Sequence, residues 1–231
     1  MAHGQPDFGL YAPKSTVYGQ ADIAELAARL GSIVTFDRRG DVIFLEDFES
    51  GVEKWGVQPL EGGAAVREWD SRYSQFGAFS CRVARTAVLG EGVEIYRYRP
   101  YSVLSQIGLE ASFSVIAGVN FVSIGFVLYT GTQEIDTYIR WNNATNMLQY
   151  YSGAWAFTDI PGASFDLWPS ERIFHVLKVV SNPVTGFNTR VILNNREFDL
   201  SAYPLRITDG VITSPRITID LRFYSNQNIY T

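Results

Sequence analysis

The sequence is poor in the residues that most metalloproteins and many enzymes use for chemistry. Its 231 residues include one cysteine and two histidines. A single cysteine, Cys81, cannot form an internal disulfide, and one cysteine with two histidines is too small a set for a zinc site. Cys81 alternates with Phe79 and Val83 on one side of its segment. This pattern predicts a small apolar core residue rather than a reactive thiol.

The chain also lacks basic blocks and long apolar runs. Its formal net charge is -5, and no cluster of Lys and Arg resembles the basic surfaces that bind nucleic-acid phosphates. The apolar stretches have the length of strands and are interrupted by charge, so none predicts a membrane span. Residues 1–7 lack the basic start and apolar run of a secretory signal, which predicts synthesis and folding in the cytoplasm.

Motifs for nucleophilic catalysis and phosphate binding are missing as well. The sequence contains no Gly-x-Ser-x-Gly, no His-Glu-x-x-His and no glycine-rich phosphate loop. His3 lies near the N-terminus, and His175 lies in an alternating segment with Leu177 and Val179 on its own side. This position favours a structural histidine over a general base. The sequence therefore predicts a protein that is not an enzyme.

The first 31 residues differ from the rest of the chain. Residues 1–20 show no regular period, but they contain more aromatic residues than a solvated tail, which predicts an extended arm that packs on another surface. Residues 22–30 form the one predicted helix, because Asp22 and Glu25 match a capping box and Gly31 can end the helix. The apolar residues expected to carry assembly through this arm are Phe8, Leu10, Tyr11, Tyr18, Ile23, Leu26 and Leu30.

Residues 32–231 are predicted to form one all-β domain. It is expected to begin with a hairpin whose second strand is residues 42–45. Residues 109–115, 122–128 and 217–223 alternate apolar and polar side chains, a period of two that predicts sheets with one buried face and one solvated face. No long helical pattern lies between these runs, so the predicted fold is an antiparallel β-sandwich.

Three segments carry strand patterns of a known kind. Residues 45–55 and 74–83 have the pattern of two early strands, the second preceded by a glycine turn. Residues 174–201 begin with Phe-His-Val-Leu-Lys, pass through Thr185-Gly186 and end at an Asn-centred hairpin. Together they resemble the concanavalin A-like and laminin G-like superfamily over about residues 42–223. The resemblance implies a jelly-roll sandwich, but its members include lectins, glycosidases, adhesion modules and viral surface proteins, so fold leaves function open.

One acidic segment tests the glycosidase possibility. Laminarinase-like members of the superfamily carry Glu-x-Asp-x-x-Glu on one strand, and Glu134 and Asp136 begin this pattern. Ile139 occupies the position of the third acid. Because glycoside hydrolysis needs two carboxylates flanking the bond, Glu134 and Asp136 are interpreted as a charge pair on a strand.

Aromatic residues are concentrated between residues 138 and 168. Exposed rings stack on sugars, and the Asn and Gln residues between them can bind hydroxyl groups. Packing in the core or at an interface is the alternative, and it is the favoured interpretation. The candidates for glycan binding or an interface are Tyr138, Trp141, Tyr150, Tyr151, Trp155 and Trp168. The resemblance also implies a structural calcium ion near the first and last strands, with Asp47, Glu49 and Asp220 as ligands.

Two hypotheses about function follow. The first is a non-enzymatic assembly protein, a virion component such as a capsid-decorating or tail protein, whose arm ties it into a homo-oligomer or to neighbouring particle subunits. The alternative is a carbohydrate-binding adhesion module, and one protein can do both. No closing strand is predicted beyond Phe223, so either the native chain is expected to continue past Thr231 or a partner completes the sheet.

Overall fold

The computed structural model describes residues 42–60, 62, 64–86, 92–100, 104–153 and 156–225. The chain divides into two compact units, Met1–Glu46 and Asp47–Thr231. The predicted arm and helix, and the domain boundary placed after residue 31, lie outside the described residues.

Residues 42–46 are the described part of the first unit, and they form no strand. The prediction of a strand at residues 42–45 is therefore wrong. The side chains of Val42, Ile43 and Leu45 are 68%, 56% and 57% exposed. Apolar side chains alone do not make a strand, and three of the four in this run are mostly exposed.

Every regular element among the described residues is a β-strand. The strands are β1 Gly56–Leu60, β2 Ala64–Asp70, β3 Ser80–Thr86, β4 Gly92–Pro100, β5 Ile107–Val115, β6 Val119–Tyr129, β7 Gln133–Asn142, β8 Met147–Gly153, β9 Ala156–Ser164, β10 Ser170–Asn182, β11 Phe187–Leu193, β12 Arg196–Asp199, β13 Arg206–Asp209 and β14 Arg216–Ser225. A search of the described residues finds no helix of the length and apolarity needed to cross a membrane.

The described strands form three sheets, and all their pairings are antiparallel. The large sheet has the order β1-β4-β14-β6-β7-β8-β9, and β13 also pairs with β7. A second sheet has the order β12-β11-β10-β5, and β2 and β3 form a separate hairpin. The predicted all-β, antiparallel jelly-roll sandwich is confirmed for this part of the chain.

The hydrophobic core lies between the large sheet and the four-stranded sheet. Ile124, Phe126 and Ile139 of the large sheet are at most 1% exposed. Across the core, Thr137 Oγ1 of β7 lies 3.0 Å from Ser181 Oγ of β10, which ties the two layers together by a buried hydrogen bond. Full burial of each Leu, Ile or Phe stabilises the fold by about 1.5–3 kcal/mol, so the buried side chains of this layer stabilise the sandwich.

The hairpin of β2 and β3 carries its own aromatic contact. Trp69 stacks on Phe79 with ring centroids 3.9 Å apart, and its Nε1 donates a hydrogen bond to the carbonyl oxygen of Phe48 at 2.6 Å. Cys81 of β3 is half-buried and lines a cavity of about 90 Å³ together with Val83. Cys81 was predicted to be a core residue, and the structure shows it only half-buried.

The central strands of the large sheet are buried on both faces. Ser123 and Asp220 alternate with core residues, yet each is only 2% exposed. We call the side of the large sheet that is turned away from the core the outer face. The predicted solvated face is wrong for the centre of this sheet, because large side chains from neighbouring strands cover one another there.

Candidate binding face of the large sheet

The outer face consists of side chains arranged in rows that cross the strands. Each row follows from the antiparallel register, in which residues directly opposite one another lie close enough to interact. Four such rows run from β4 through β14 and β6 to β7 and its neighbours. The rows are Glu94-Arg222-Ser123-Arg140-Gln149, Tyr96-Asp220-Gly125-Tyr138, Tyr98-Thr218-Val127-Asp136-Arg206 and Pro100-Arg216-Tyr129-Glu134-Thr208.

The centre of the outer face is a hydrogen-bonded cluster around Asp220. The Tyr138 hydroxyl donates to Asp220 Oδ2, and Arg222 Nη2 lies 3.3 Å from the same oxygen. Arg222 Nη2 is also 3.0 Å from the Tyr138 hydroxyl, while Arg222 Nε donates to Glu94 Oε1 at 3.0 Å. Gln58 donates to the other oxygen of Glu94. One guanidinium thus links two carboxyl groups on neighbouring strands.

Burial changes the ionisation of this cluster. Burial and the nearby charge of Glu94 raise the pKa of Asp220 to about 6, although the hydrogen bond from Tyr138 and the charge of Arg222 act in the opposite direction. Burial also raises the pKa of Tyr138 well above its usual value. The phenol therefore stays protonated and donates its hydrogen bond over the whole range in which Asp220 titrates.

Glu134 and Asp136 are held by an arginine from the adjacent strand. Arg206 Nη1 of β13 donates to Glu134 Oε1 at 3.0 Å and to Asp136 Oδ2. Burial raises the pKa of Asp136, and the hydrogen bond from Arg206 acts in the opposite direction. Both carboxylates have a cationic partner, as in the charge pair that the sequence predicts.

Two other arginines of the outer face lie between aromatic rings. The guanidinium of Arg140 is 4.4 Å from the ring centroid of Phe121 and 4.0 Å from that of Phe157. The guanidinium of Arg216 is 5.2 Å from the ring centroid of Tyr98 and 4.4 Å from that of Tyr129. Arg140 also donates through Nε to Gln149 Oε1 at 2.8 Å. Such cation-π contacts hold the planar guanidinium in a defined orientation.

Several buried polar atoms on the outer face have no hydrogen-bond partner. They are four of the eight such atoms found among the described residues, namely Ser123 Oγ, Thr218 Oγ1, Asp220 Oδ1 and Arg216 Nε. Buried polar atoms are nearly always satisfied in folded proteins, by protein groups, ordered water or a ligand. Their concentration on one face marks it as the best candidate for a binding site.

Three of the aromatic candidates from the sequence are packing residues. Tyr138, Trp141 and Tyr151 are 4%, 2% and 4% exposed. Trp141 lies in the core and donates through Nε1 to the carbonyl oxygen of Phe165 at 2.9 Å. Tyr138 and Tyr151 meet edge to face on the outer face, with ring centroids 5.9 Å apart. None of the three presents an open ring to a sugar, so the packing interpretation is the one that fits them.

The remaining candidates are dispersed. Tyr150 is half-buried and packs on Tyr203 with ring centroids 4.5 Å apart. Trp168 is 68% exposed, but it lies between β9 and β10, outside the rows of the outer face. Trp155 lies outside the described residues, as do all the residues of the predicted assembly arm.

The predicted calcium ligands are not brought together. Asp220 lies on the outer face of β14, whereas Asp47 and Glu49 lie before β1. There, Asp47 Oδ1 accepts a hydrogen bond from the backbone N of Glu49 at 3.0 Å, and Glu49 Oε1 accepts one from the backbone N of Ala78 at 2.7 Å. In the part of the chain that the structure describes, no group of three His, Cys, Asp or Glu residues could hold a metal ion. The predicted ligand set is therefore not formed.

His175 is a packed histidine. It is 7% exposed, its Nδ1 lies 3.2 Å from Asn194 Nδ2, and its ring contacts Phe113 with centroids 6.1 Å apart. Burial lowers the pKa of His175, so the ring is neutral near pH 7. This agrees with the structural role that the sequence favours.

Sequence reasoning missed Glu94, Ser123, Tyr98 and Arg216 as candidate site residues. A partial signal exists in β14, where Arg216 and the polar residues that follow it at every second position share one side of the strand. The sequence does not show that β4 and β6 flank β14, and only that neighbourhood assembles the rows.

Comparisons with known proteins give distant structural similarities. No protein-family model matches the chain, and no curated protein matches it in sequence. The chain is similar to a β-glucanase of Bacillus licheniformis, with 13% identity, 80% of this chain and 96% of that chain covered, and a TM-score of 0.38. It is also similar to the carbohydrate recognition domain of Emp46p in its potassium-bound form, with 11% identity, 80% and 88% coverage, and a TM-score of 0.43.

A third similar structure comes from a bacteriophage. It is the carbohydrate esterase vb_24B_21 of the Shiga toxin-encoding phage phi24B, with 13% identity, 78% of this chain and 95% of that chain covered, and a TM-score of 0.43. Each of these is a distant similarity, and the ligand of this chain does not follow from it.

Proposed function

We propose that this chain is a carbohydrate-binding sandwich and that it binds glycans at the outer face of the large sheet. The observation that carries the proposal is the exposed aromatic ring of Tyr98 beside the polar side chains of the paired strand β14. Glycans need both, since their rings stack on aromatic faces while their hydroxyl groups require fixed donors and acceptors.

The exposed end of this face is formed by the tyrosines of β4. Tyr98 is 57% exposed, and its ring centroid lies 5.2 Å from that of Tyr96. Thr218 lies opposite Tyr98 in the ladder, and its hydroxyl has no partner among the described residues. A hydroxyl group can both donate and accept, as a sugar hydroxyl can. Because these groups stand on paired strands, they are positioned before a ligand arrives.

We also propose that binding occurs without turnover. Asp220 and Glu94, the central carboxyl groups, are 2% and 4% exposed, too buried to reach a scissile glycosidic bond. Glu134 and Asp136 are bonded to Arg206. Oligosaccharides retained by the protein are therefore expected to be recovered intact, which chromatography of the released ligand checks.

The finer hypothesis of a virion or particle component depends on the arm at residues 1–31. It stays a prediction, and a role as the adhesion part of such a particle is compatible with glycan binding. Binding at the outer face does not require the arm to tie subunits together, so the two hypotheses are tested separately.

The experiment for glycan binding uses a panel of immobilised neutral and acidic oligosaccharides. We expect the unmodified chain to bind at least one of them and Tyr98→Ala to weaken that binding by about tenfold, because the variant removes a stacking ring. Trp168→Ala is the matched control, since it removes an aromatic side chain of similar exposure outside the outer face.

Both variants are expected to retain the melting temperature of the unmodified chain, because both rings are mostly exposed. Loss of binding in Trp168→Ala with normal binding in Tyr98→Ala would place the site elsewhere. A chain that binds no glycan of the panel would show that the proposed function is wrong.

A further inference from the structure

We propose that the glycan is acidic and that Arg216 binds its carboxylate group. This inference rests on the proposed function and specifies the class of ligand. It follows from the charges on the outer face, from the orientation of one guanidinium and from the open ring beside it.

Arg216 differs from the other arginines of the outer face in its partners. Arg206 and Arg222 each bond to two carboxyl groups, and Arg140 bonds to Gln149. For Arg216, the described residues supply one hydrogen bond, from Nη1 to Thr213 Oγ1 at 2.9 Å, and no carboxylate within ion-pair distance. Arg140 likewise has no carboxylate within ion-pair distance in the described part of the chain, but its guanidinium lies between Phe121 and Phe157, whereas that of Arg216 lies beside the exposed ring of Tyr98. An anionic ligand group attached to a stacking ring therefore has Arg216 as its natural partner.

The guanidinium is oriented before any ligand binds. It lies over the ring of Tyr129 at 4.4 Å and over that of Tyr98 at 5.2 Å, and its contact with Thr213 fixes a third side. Its Nε is buried without a partner, so the donors within reach of a ligand are those of the terminal nitrogens Nη1 and Nη2. A planar guanidinium held in this way can present these two nitrogens side by side to a carboxylate, the geometry that makes arginine selective for planar anions.

The carboxyl groups elsewhere on the outer face disfavour ligands that carry many negative charges. The carboxyl groups on the outer face are Glu94, Glu134, Asp136, Asp159 and Asp220. The chain as a whole has a net charge of -5. A polyphosphate or a nucleic acid would be repelled by this surface, whereas a glycan needs to bring only one carboxylate to Arg216.

The neighbours of Arg216 match a uronic acid better than a free anion. Tyr98 is exposed and can stack against the sugar ring. Inorganic phosphate would use the guanidinium but could not stack on this ring. The test therefore compares uronic acids with inorganic phosphate as separate ligands.

The test measures the side-chain Nε-H signal of Arg216 in the full chain by nitrogen-15 NMR, assigned by its loss in Arg216→Gln. Galacturonate and glucuronate, their methyl esters and inorganic phosphate are titrated in turn. We expect the free uronates to shift the signal with at least fivefold higher affinity than the esters or phosphate. Arg172 is the matched control, because its guanidinium lies 5.8 Å from the ring centroid of Tyr73 and outside the outer face.

Unchanged Arg216 signals, equal affinity for esters and free acids, or equal affinity for phosphate would each overturn this inference. On the oligosaccharide panel, Arg216→Gln is expected to lose at least tenfold in binding to acidic glycans and to keep its binding to neutral ones. Neutral glycans bound through Tyr98 without an Arg216 shift would leave the proposed function standing and remove only the inference. If uronates shift the Arg216 signal but the chain retains no oligosaccharide, Arg216 binds a carboxylate and the proposed function of glycan binding is wrong.

Discussion

At the residue scale, burial gives Asp220 chemistry that its place in the sequence does not reveal. It alternates with apolar residues, and this pattern predicts a carboxylate on the solvated side of the strand. In the fold it is 2% exposed, next to Glu94 and in contact with Tyr138 and Arg222. A carboxyl group in a dry site beside a second carboxyl group retains its proton to higher pH. The stability of the protein should therefore depend on pH through this residue.

The prediction is that the unmodified chain loses stability relative to Asp220→Asn as pH rises from 4 to 7. The pKa of Asp220 is raised from 3.8 to about 6 in the folded state, so the native protein holds a proton that the unfolded chain releases. The stability linked to that proton is present below pH 4 and is lost as pH rises through 6. The shift corresponds to about 2–3 kcal/mol. Urea unfolding of both proteins at pH 4, 5, 6 and 7 measures it, and a constant difference across this range would contradict the prediction.

At the element scale, β6 depends on a glycine in the middle of the strand. A Cβ atom at Gly125 would overlap with the carbonyl oxygen of Thr137 and with the ring of Tyr138, both on the paired strand β7. The Tyr138 ring can approach the sheet and reach Asp220 because Gly125 has no side chain. The absence of a side chain at Gly125 on β6 thus leaves space for the hydrogen-bonded cluster around Asp220, whose members lie on β4, β7 and β14.

Gly125→Ala is accordingly expected to lower the free energy of unfolding by about 1–3 kcal/mol, the usual cost of overpacking. Gly108→Ala is the matched control, because it also lies inside a strand and the nearest atom to its added Cβ is 3.5 Å away. That change should be neutral or stabilise the protein by up to about 1 kcal/mol, since it removes the entropy cost of a strand glycine. Equal unfolding midpoints in urea for the two variants would show that Gly125 is not required for packing.

At the scale of the whole molecule, the open prediction is assembly through residues 1–31. We expect the full chain to have the solution mass of a homo-oligomer and a chain starting at Ser32 to be a folded monomer, because the arm is predicted to supply the contact between subunits. Light scattering on a sizing column measures both masses, and circular dichroism checks that the sandwich remains folded. Two monomers of the expected masses would count against assembly through the arm.

The sequence predicts the strands of the sandwich better than it predicts the site. The alternation at residues 109–115, 122–128 and 217–223 corresponds to β5, β6 and β14. The same reasoning failed for Asp220, because a period of two says which residues share one side of a strand but not what covers that side. Residues 42–45 were predicted as a strand for a related reason, since an apolar run does not reveal whether its side chains are buried.

The sequence by itself determined the all-β class, through its period of two and the lack of long helical patterns, because side chains alternate across any strand. Only the tertiary structure decided which strands are neighbours. Arg222 donates to Glu94 across 128 positions and to Tyr138 across 84. Strand pairing is made by backbone groups that every residue carries, so local patterns leave the order of strands undetermined. The outer face, with its rows and its unpartnered atoms, exists only once β4, β14, β6 and β7 lie side by side.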